Sequence, residues 1–498
     1  MSSSDGALRP GILAALLIPF ALLATLNSAG YRYGASDQAF YVPAALKSAN
    51  PALYPRDGAL IQSQSKLTII DEVMGQLARA GVPLPAAFAA LQITTLALLA
   101  LAATRLANSF YRTRWAVIAL LAALTLRHAI IQSGTNTLEG YFHPRQLAFA
   151  FGALGIGSFM RGRYAAMWTL IVVAGAVHPT TALWFAIWVG VASFVAEPRL
   201  RMPLAVLVAI GTLSAGWALT LGPLAGRFVT MDDEWLATLA DKGYLFPLAW
   251  PLAAWVVNLA YIPLIAGLYA YRRRCGLLAP RETALVAGCL TLVVIFLSTL
   301  PFNAARVAFA IQLQPARVFW MLDLLAVIYV VWVAAEGGSR AVPTSRRAAI
   351  AALTIVMLST IRGVYIKTVE FPGRRVAQIN LPDNDWGRVM AWARASPVTS
   401  GWLADPEHAV RYGTSLRVAG ERDVCVEAIK DRAIGMYDRG MAMRTRERVT
   451  AVGDFQTLTP ERARALAEQY DLHYLVTEQA LSLPVAFTSG DLRVYALR

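Results

Sequence analysis

Charged residues are scarce in this chain of 498 residues. Only 15% are Asp, Glu, Lys or Arg, against about 25% in ordinary soluble domains. In contrast, 57% are hydrophobic, and the mean hydropathy is +0.50. This deficit excludes a wholly water-soluble protein and indicates that lipid is the main solvent of the chain. Apolar runs recur from Gly11 to Tyr365 and then stop, so a membrane part, 1–366, precedes a soluble part, 367–498.

Cysteine is almost absent, and several catalytic motifs are missing. Of the three cysteines, only Cys425 lies in the soluble part, which excludes an internal disulfide or a Cys-based zinc site there. That part also shows no nucleophile elbow, Gly-rich phosphate loop or metal cluster. We therefore expect the soluble part to support a site or dock a partner rather than carry the chemistry.

The net charge of +14 does not indicate a nucleic-acid partner. Residues 367–498 hold 18 Lys or Arg and 17 Asp or Glu, a balance of +1, so +13 of the +14 belongs to the membrane part. An excess of basic residues in a membrane protein is typical of cytoplasmic loops. No DNA- or RNA-binding motif accompanies the charge, and we predict no nucleic-acid partner.

About eleven apolar runs are present, and we predict an α-helical polytopic membrane protein with about 11 transmembrane helices. The first run is long enough for an uncleaved span; a signal peptide cleaved near Ser28 is the alternative. Two of the runs, 146–160 and 164–178, are short for a hydrocarbon core of about 30 Å. The runs lie near residues 11–30, 85–104, 115–133, 146–160, 164–178, 180–196, 203–221, 246–271, 283–300, 317–335 and 348–365.

The basic residues of the membrane part fall in alternate loops. If the N-terminus is cytoplasmic, the inner loops hold 14 Lys or Arg and 3 acidic residues. The outer loops lack this excess, which places the soluble part outside the cytoplasm. We expect a multi-pass protein of the plasma membrane, of the bacterial inner-membrane type, with a small C-terminal α/β extracytoplasmic domain. The inner loops are 105–114, 161–163, 197–201, 271–282 and 336–347.

The first outer loop, about 31–84, is long and carries two isolated carboxylates. Apolar residues recur at helical spacing in 38–49 and 67–81, which predicts two amphipathic helices on the membrane surface. Asp37 stands at the start of the first helix, directly outside the membrane, as a candidate catalytic carboxylate or as an N-cap. Asp57 lies in the turn between the helices, where a turn residue is the alternative to a second catalytic carboxylate.

Polar and ionisable groups gather in the other outer turns. Arginine suits an anionic, lipid-linked substrate because its guanidinium forms bidentate bonds with phosphate, and ionisable groups at membrane depth are candidate functional groups. Each also has a structural alternative: interfacial anchor for arginine, satisfied loop residue or helix end for histidine, and ion pair for Asp323. The candidates are Arg127, Arg145, Arg306 and Arg317 for phosphate, Glu139 as a further acid, and Tyr41, His128, His143, His178 and Gln312 for substrate.

This arrangement resembles the C-type (GT-C) superfamily of membrane glycosyltransferases. The shared features are a first span, an outer loop with an acidic residue soon after the membrane, many further spans and an outward C-terminal domain. Protein O-mannosyltransferases, lipid A aminoarabinose transferases and oligosaccharyltransferase catalytic subunits have this architecture. At the level of motif, the resemblance rests on residues 36–41, SDQAFY. Many members carry an acidic pair there, and this chain has Gln38 after Asp37.

The resemblance implies an inverting glycosyltransferase of the cell envelope. Asp37 would act as general base or orient the acceptor hydroxyl, and a polyprenyl-phosphate-linked sugar would be the donor. The acceptor would be a glycan, a lipid or a protein, reached on the extracytoplasmic face among membrane lipids. Some members use a divalent metal ion, for which Asp37, Asp57, Glu139 and the histidines are conceivable ligands. No spacing in the chain requires a metal.

Two other functions fit the same sequence. A transporter or flippase for a lipid-linked saccharide would need the anionic-lipid site without a base. A polysaccharide polymerase or ligase would depend on His143, Arg145 or Arg306 rather than on Asp37. The sequence names neither the sugar nor the acceptor.

Overall fold

The computed structural model describes residues 10–65, 67–337 and 345–498. Helices dominate the chain as far as Tyr365. They are α1 Pro10–Asn27, α2 Gln38–Ala49, α3 Gly58–Ser65, α4 Ile70–Arg79, α5 Leu84–Phe110, α6 Arg114–Thr125, α7 Pro144–Met160, α8 Tyr164–Val177, α9 Pro179–Ala196, α10 Arg201–Thr220, α11 Asp233–Thr238, α12 Leu252–Arg274, α13 Glu282–Ala304, α14 Ala308–Gln312, α15 Val318–Glu336 and α16 Ser345–Tyr365.

The remaining elements include every strand of the described residues. The C-terminal helices are α17 Asp385–Ala395, α18 His408–Arg411, α19 Leu416–Ala419, α20 Ala428–Gly435, α21 Arg439–Val452 and α22 Pro460–Tyr470. The strands are β1 Tyr31–Arg32, β2 Ala129–Ile130, β3 Thr135–Asn136, β4 Ala377–Gln378, β5 Gly401–Leu403, β6 Asp423–Val424, β7 Tyr474–Thr477, β8 Val485–Ser489 and β9 Leu492–Ala496.

Each of the eleven predicted spans is helical over most of its length. By length and composition, seven helices in the described residues can cross a membrane. Three further apolar helices are shorter, and the count of eleven spans therefore stays a prediction. The seven are Leu84–Phe110, Pro179–Ala196, Pro198–Thr220, Leu252–Arg274, Glu282–Ala304, Ala308–Glu336 and Ser345–Glu370; the shorter ones are Ala14–Asn27, Arg114–Thr125 and Tyr164–Val177.

The loops predicted to be cytoplasmic contact one another at one end of the helix bundle. The guanidinium of Arg272 forms an ion pair with Glu282 and donates to the carbonyl of Phe110. Glu336 accepts from the backbone N–H of Arg112 at 2.7 Å. These contacts agree with the predicted alternation of loops, although which end faces the cytoplasm stays a prediction. Residues 1–9 and 338–344, which belong to the predicted cytoplasmic segments, lie outside the described residues.

The first outer loop is ordered and largely covered by the rest of the protein. Helices α2 and α4 form as predicted, and α3 is an additional helix between them. Helix α4 keeps the predicted amphipathic character, with Val73 and Leu77 exposed and Met74 buried. Helix α2 is buried over most of its length, because α4 and α19 pack against it. Thus α4, rather than α2, has the exposed apolar face expected of a surface helix.

The C-terminal region, residues 367–498, contains a mixed five-stranded sheet in the order β6-β5-β7-β9-β8. The first three strands are parallel, and the last two form an antiparallel hairpin. Apolar side chains of α17 and α22 belong to two separate hydrophobic clusters against the sheet. Helices α17 and α22 and the closing hairpin at Ser489 agree with the α/β character that the sequence predicts for this part. A domain boundary at residue 366 stays a prediction.

Several connections hold the C-terminal region against the first outer loop, among them the following two. Strand β1 pairs in parallel with β4, with Arg32 opposite Gln378. The hydroxyl of Tyr54, which is fully buried, donates to the carbonyl of Arg417 at 2.7 Å. These contacts bring α20 and the turn after it to the loop that carries Asp37.

Candidate active site

Asp37 lies in a cluster of polar groups from three distant parts of the chain. Lys430 Nζ donates to Asp37 Oδ1 at 2.8 Å. On the other oxygen, His143 Nε2 lies 3.3 Å and the Tyr141 hydroxyl 3.4 Å from Oδ2, and the Arg145 guanidinium lies 3.8 Å away. Asp37 precedes α2, but its side chain makes no capping hydrogen bond. The carboxylate therefore faces the cluster rather than the end of its own helix.

The charges around Asp37 keep it ionised. Burial disfavours the carboxylate, but Lys430, followed by His143 and Arg145, outweighs burial and holds the pKa of Asp37 well below its usual range. The Asp37 side chain nevertheless retains 25% of its exposure. An ionised carboxylate that is still accessible can accept a proton or a hydrogen bond from an incoming hydroxyl.

Two histidines cap helices that begin beside Asp37. His143 Nδ1 accepts from the backbone N–H of Arg145 at 3.1 Å, so the proton of the neutral ring lies on Nε2 and points to Asp37. Burial and Arg145 lower the pKa of His143 to about 4. His178 Nδ1 accepts from Thr181 in the same way at the start of α9. The ring centroids of the two histidines are 6.2 Å apart.

The N-termini of α7 and α9 therefore point to one place. Pro144 and Pro179 follow the capping histidines and start the helices, as proline does at a first helical position. The N-terminus of a helix carries partial positive charge and favours a nearby anion. The repeated His-Pro pair is visible in the sequence, although its use as a double cap becomes clear only from the structure.

The two arginines of the site differ in their partners. Arg145 is buried and forms a close ion pair with Glu139, which is also buried. Arg317, which directly precedes α15, is 7% exposed, and no described residue forms a hydrogen bond or ion pair with its guanidinium. A buried guanidinium without a carboxylate is costly. It therefore indicates a position at which an anion binds.

Two adjoining cavities lie beside this cluster, and Asp37 lines one of them. The polar cavity, about 230 Å³, is lined by Asp37, Arg145, Arg317 and Lys430 among others. The apolar cavity, about 330 Å³, is lined by Leu183, Leu224, Phe309 and Leu313 among others. Tyr41, His178 and Tyr437 line both.

Of the four cations that line the polar cavity, Arg145 is offset by Glu139, Lys430 by Asp37 and Lys242 by Asp241, which leaves the charge of Arg317 unmatched. One chamber thus suits a polar anion and the other an apolar chain.

Tyr41 lies at this junction and Gln312 lines the apolar cavity; their substrate-binding roles stay predictions. The ring of Tyr41 packs edge-on against His143 with centroids 5.3 Å apart. Gln312 donates to the carbonyl of Met436 at 3.1 Å, and its own carbonyl oxygen has no partner among the described residues. A free amide oxygen at the wall of the apolar cavity can accept a hydrogen bond from a ligand.

The C-terminal region supplies part of the cavity wall. Lys430 belongs to α20, and Met436 and Tyr437 follow that helix. Gln314 donates to the Tyr437 hydroxyl at 3.4 Å across the same wall. Sequence analysis missed these residues, because no local pattern marks a side chain that contacts Asp37 from nearly 400 positions away. The expectation that the C-terminal part supports a site agrees with this placement.

Three of the predicted residues lie away from the cavities. Arg127 is exposed in the turn after α6, which ends at Thr125 and so ends earlier than the predicted span. His128 Nδ1 is 2.8 Å from Asp323, which also accepts from Tyr261. Arg306 pairs with Asp233 at the surface at 2.5 Å. The geometry gives no support to a phosphate or substrate role for Arg127, His128 or Arg306.

Asp57 is also separate from the cavities. It is fully buried, accepts from Arg417 Nε at 2.7 Å and from the backbone N–H of Val424 at 3.2 Å, and forms a close ion pair with Arg444. Arg417 lies between Asp57 and Asp431. Asp57 thus connects the first outer loop to the C-terminal region, and the geometry does not favour a catalytic role.

Gln38 has a structural explanation at the position where the resemblance leads one to expect a second acid. Its side chain is fully buried; Oε1 accepts from the Gly34 N–H at 2.7 Å, and Nε2 donates to the Phe142 carbonyl at 3.2 Å. A carboxylate has no donor for the Phe142 carbonyl. The amide therefore fixes the loop that carries Asp37 against the residue before His143.

The donor set does not form a metal site. Within the described residues, no three His, Cys, Asp or Glu side chains are arranged to hold a metal ion. Asp37 has one oxygen engaged by Lys430 and the other near Tyr141 and His143, which is the wrong set for a hard cation.

Comparisons with known proteins provide little further information. No protein-family model and no curated protein matches the chain. Among solved structures, it is similar to the arabinofuranosyltransferase AftD from Mycobacteria, with a TM-score of 0.49 and 14% identity. The match covers 100% of this chain, which spans 40% of the length of that enzyme. A likeness this weak assigns no activity to this chain.

Proposed function

We propose that this chain is an inverting membrane glycosyltransferase that uses a polyprenyl-phosphate-linked sugar as donor. The observation that carries the proposal is the position of Asp37 beside a cavity with an unpaired arginine, next to an apolar cavity. An isoprenoid chain fits the apolar cavity, and its phosphate fits the polar one near Arg317. The resemblance of residues 36–41 to the motif of C-type glycosyltransferases supports the same conclusion.

In the proposed reaction, an acceptor hydroxyl attacks C1 of the donor sugar from the side opposite the phosphate. The bond between C1 and the phosphate oxygen breaks, and its electron pair leaves with the lipid phosphate. Asp37 Oδ2 or Oδ1 receives the hydroxyl proton, and the new glycosidic bond has the inverted configuration. Arg317 and the N-termini of α7 and α9 stabilise the charge that develops on the phosphate.

The low pKa of Asp37 is compatible with this role. As the sugar–phosphate bond breaks, positive charge develops on the ring, and the attacking hydroxyl becomes a strong acid only late in the reaction. A weak base of fixed position is then sufficient. The neutral N–H of His143 and the hydroxyl of Tyr141 orient the carboxylate without removing its charge.

The test is sugar transfer by the full-length protein in lipid nanodiscs, with a radiolabelled polyprenyl-phosphate sugar and a panel of glycan acceptors. We expect Asp37→Asn to lower the rate by about 100-fold or more, as for loss of a general base. The matched control is Asp233→Asn, a carboxylate exposed at the surface. Thermal unfolding should show that both variants are folded.

The outcomes separate the alternative functions. Full transfer by the Asp37→Asn variant would overturn the catalytic assignment. Donor that crosses vesicle membranes without forming a glycosidic bond would identify a transporter. Loss of transfer in variants of His143 or Arg145, with Asp37→Asn unaffected, would favour a polymerase or ligase instead.

A further inference from the structure

A third cavity lies next to Asp37 and is not explained by the donor. It has a volume of about 360 Å³. Ser36 and Ala39 line it, whereas Asp37 and Phe40 line the polar cavity. Lys430 lines both and so stands between them. We call the third chamber the arginine cavity, after Arg32 and Arg374 in its wall. An acceptor in this chamber would approach Asp37 past Lys430. The donor would approach it from the other side, where the apolar cavity lies.

The two arginines reach the cavity through the pairing of β1 with β4. Arg32 lies opposite Gln378 in that parallel pair, and Arg374 lies in the turn directly before β4. The guanidinium of Arg374 stacks on the ring of Phe371, with its carbon 3.5 Å from the ring centroid. Backbone pairing and stacking thus fix both positions independently of any ligand.

Neither arginine has an acidic partner. Within the described residues, no carboxylate forms an ion pair with Arg32 or Arg374, and no acceptor takes a hydrogen bond from either guanidinium. Both side chains are half-buried. Burial lowers the pKa of each, and Arg32 lowers that of Arg374 further, because the two like charges repel each other. This repulsion is relieved when an anion binds between them.

The other charged groups of the cavity do not neutralise the pair. Glu427 is buried against Arg417 and accepts from the Ser415 hydroxyl at 2.5 Å. Lys430 is paired with Asp37. Glu407 is exposed at the cavity wall. The arginine cavity therefore keeps a net positive charge at its Arg32 and Arg374 end.

We propose that the arginine cavity binds an oxyanion of the acceptor, a carboxylate or a phosphate, so that the acceptor is an acidic saccharide. This inference rests on the proposed glycosyl transfer. The anion lies between Arg32 and Arg374, where planar guanidinium groups form charge-assisted hydrogen bonds. The acceptor hydroxyl then extends past Lys430 to Asp37. Lys430 is also close enough to contact an acidic acceptor, because it already lies 3.5 Å from the Ser36 hydroxyl.

The test measures binding separately from catalysis. The full-length protein in nanodiscs is titrated with trigalacturonate, mannose 6-phosphate and the neutral maltotriose. We expect an acidic probe to bind more tightly than maltotriose, and its affinity to fall about 10-fold or more in Arg32→Gln and in Arg374→Gln, as for loss of a hydrogen bond between charged groups. The preference between trigalacturonate and mannose 6-phosphate identifies carboxylate or phosphate as the source.

Three controls make the result decisive. Arg375→Gln removes an exposed neighbouring arginine that does not line the cavity and should leave binding unchanged. Asp37→Asn should keep acidic binding while it abolishes transfer. Arg32→Lys retains the positive charge and should bind the acidic probe more tightly than Arg32→Gln. This comparison separates loss of the charge from destabilisation of the protein.

Equal affinity for maltotriose and both acidic probes, or an equal loss in Arg375→Gln, would overturn the inference. Acidic binding that depends on Arg32 without any sugar transfer would instead count against the proposed function.

Discussion

Asp37 and Asp57 lie in the same loop, yet their surroundings are opposite. Asp57 is fully buried, and two arginines and the backbone N–H of Val424 occupy its oxygens. Asp37 keeps a quarter of its exposure and is bordered by Lys430 and the neutral Tyr141 and His143. A carboxylate whose oxygens are fully occupied can stabilise an interface, whereas one that stays accessible can react with a ligand.

The arginines beside the two carboxylates show the same contrast. Arg417 is enclosed between Asp57 and Asp431 and is 2% exposed. Arg317 is nearly as buried, yet it has no acidic partner in the described part of the chain. Burial alone therefore does not distinguish a structural arginine from one that binds a ligand. What distinguishes Arg417 from Arg317 is its carboxylate partners.

The largest effect on stability is expected from Asp57→Asn. Loss of this carboxylate leaves Arg417 and Arg444 without part of their counter-charge, and breaking a buried pair costs about 3–5 kcal/mol. We expect a lower melting temperature, measured by thermal unfolding, and faster proteolysis of the C-terminal region. Asp233→Asn, which changes a carboxylate exposed at the surface, is the matched control and should unfold close to wild type. A melting temperature unchanged in Asp57→Asn would contradict the structural role.

The pH dependence of this stabilisation has a definite sign. Burial disfavours ionised Asp57, but the positive charges of Arg417 and Arg444 outweigh burial. They lower the pKa of Asp57 in the folded protein below the usual value of about 4. The stabilisation is therefore complete above about pH 4 and is lost as the pH falls through the lower folded pKa. Wild type should lose it on acidification below pH 4, and the Asp57→Asn variant should lack that loss.

The sequence predicts local features of this fold well. Helices α2 and α4 of the first outer loop follow from apolar residues at helical spacing. The position of Asp37 just after the first apolar run makes it a candidate, and the resemblance of residues 36–41 makes it the leading one. The double role of Gln38, between the Gly34 N–H and the Phe142 carbonyl, was not predictable, because its second partner is distant in sequence.

Long-range contacts explain what the sequence could not predict. Arg306 and Arg317 belong to the same outer turn and have the same chemistry, so nothing local separates them. In the structure, Arg306 adopts a left-handed backbone conformation, φ 58°, and pairs with Asp233, while Arg317 lines the polar cavity. Lys430 contacts Asp37 only because the C-terminal region covers the loop.

Arg317→Gln should produce the next largest effect and should change activity rather than stability. We expect the rate of sugar transfer to fall about 100-fold, the usual loss when a donor to a developing anion is removed. Thermal unfolding should be unchanged or slightly higher, because no ion pair is broken. The measurement is kcat and KM for the donor.

Two variants sharpen this contrast. Arg306→Gln, at the surface, should retain near wild-type transfer. Arg417→Gln should resemble Asp57→Asn and lose stability. A loss of transfer in Arg306→Gln as large as in Arg317→Gln would contradict the assignment of the phosphate position to the polar cavity.

The smallest predicted effect, from Lys430→Gln, concerns the ionisation of Asp37. Burial raises the pKa of Asp37, and Lys430 is the main group that lowers it, so removal of the lysine raises that pKa. Because transfer needs the carboxylate, the acid limb of the pH–rate profile should move to higher pH, by about one unit, which corresponds to about 1.4 kcal/mol. The measurement is kcat/KM from about pH 2 to about pH 7, because a carboxylate of lowered pKa titrates below its usual value of about 4.

The control for this profile is Lys367→Gln, which removes a partly exposed lysine that donates to the Pro372 carbonyl and does not line the cavities at Asp37. It should leave the acid limb in place. Asp37 also contributes stability that is present above its unfolded pKa and is lost as the pH falls through its depressed folded pKa. In Lys430→Gln this contribution should shrink, so the acid unfolding of the variant should begin at higher pH. If Lys430→Gln moved the acid limb to lower pH, the ionised Asp37 could not be the group that accepts the proton.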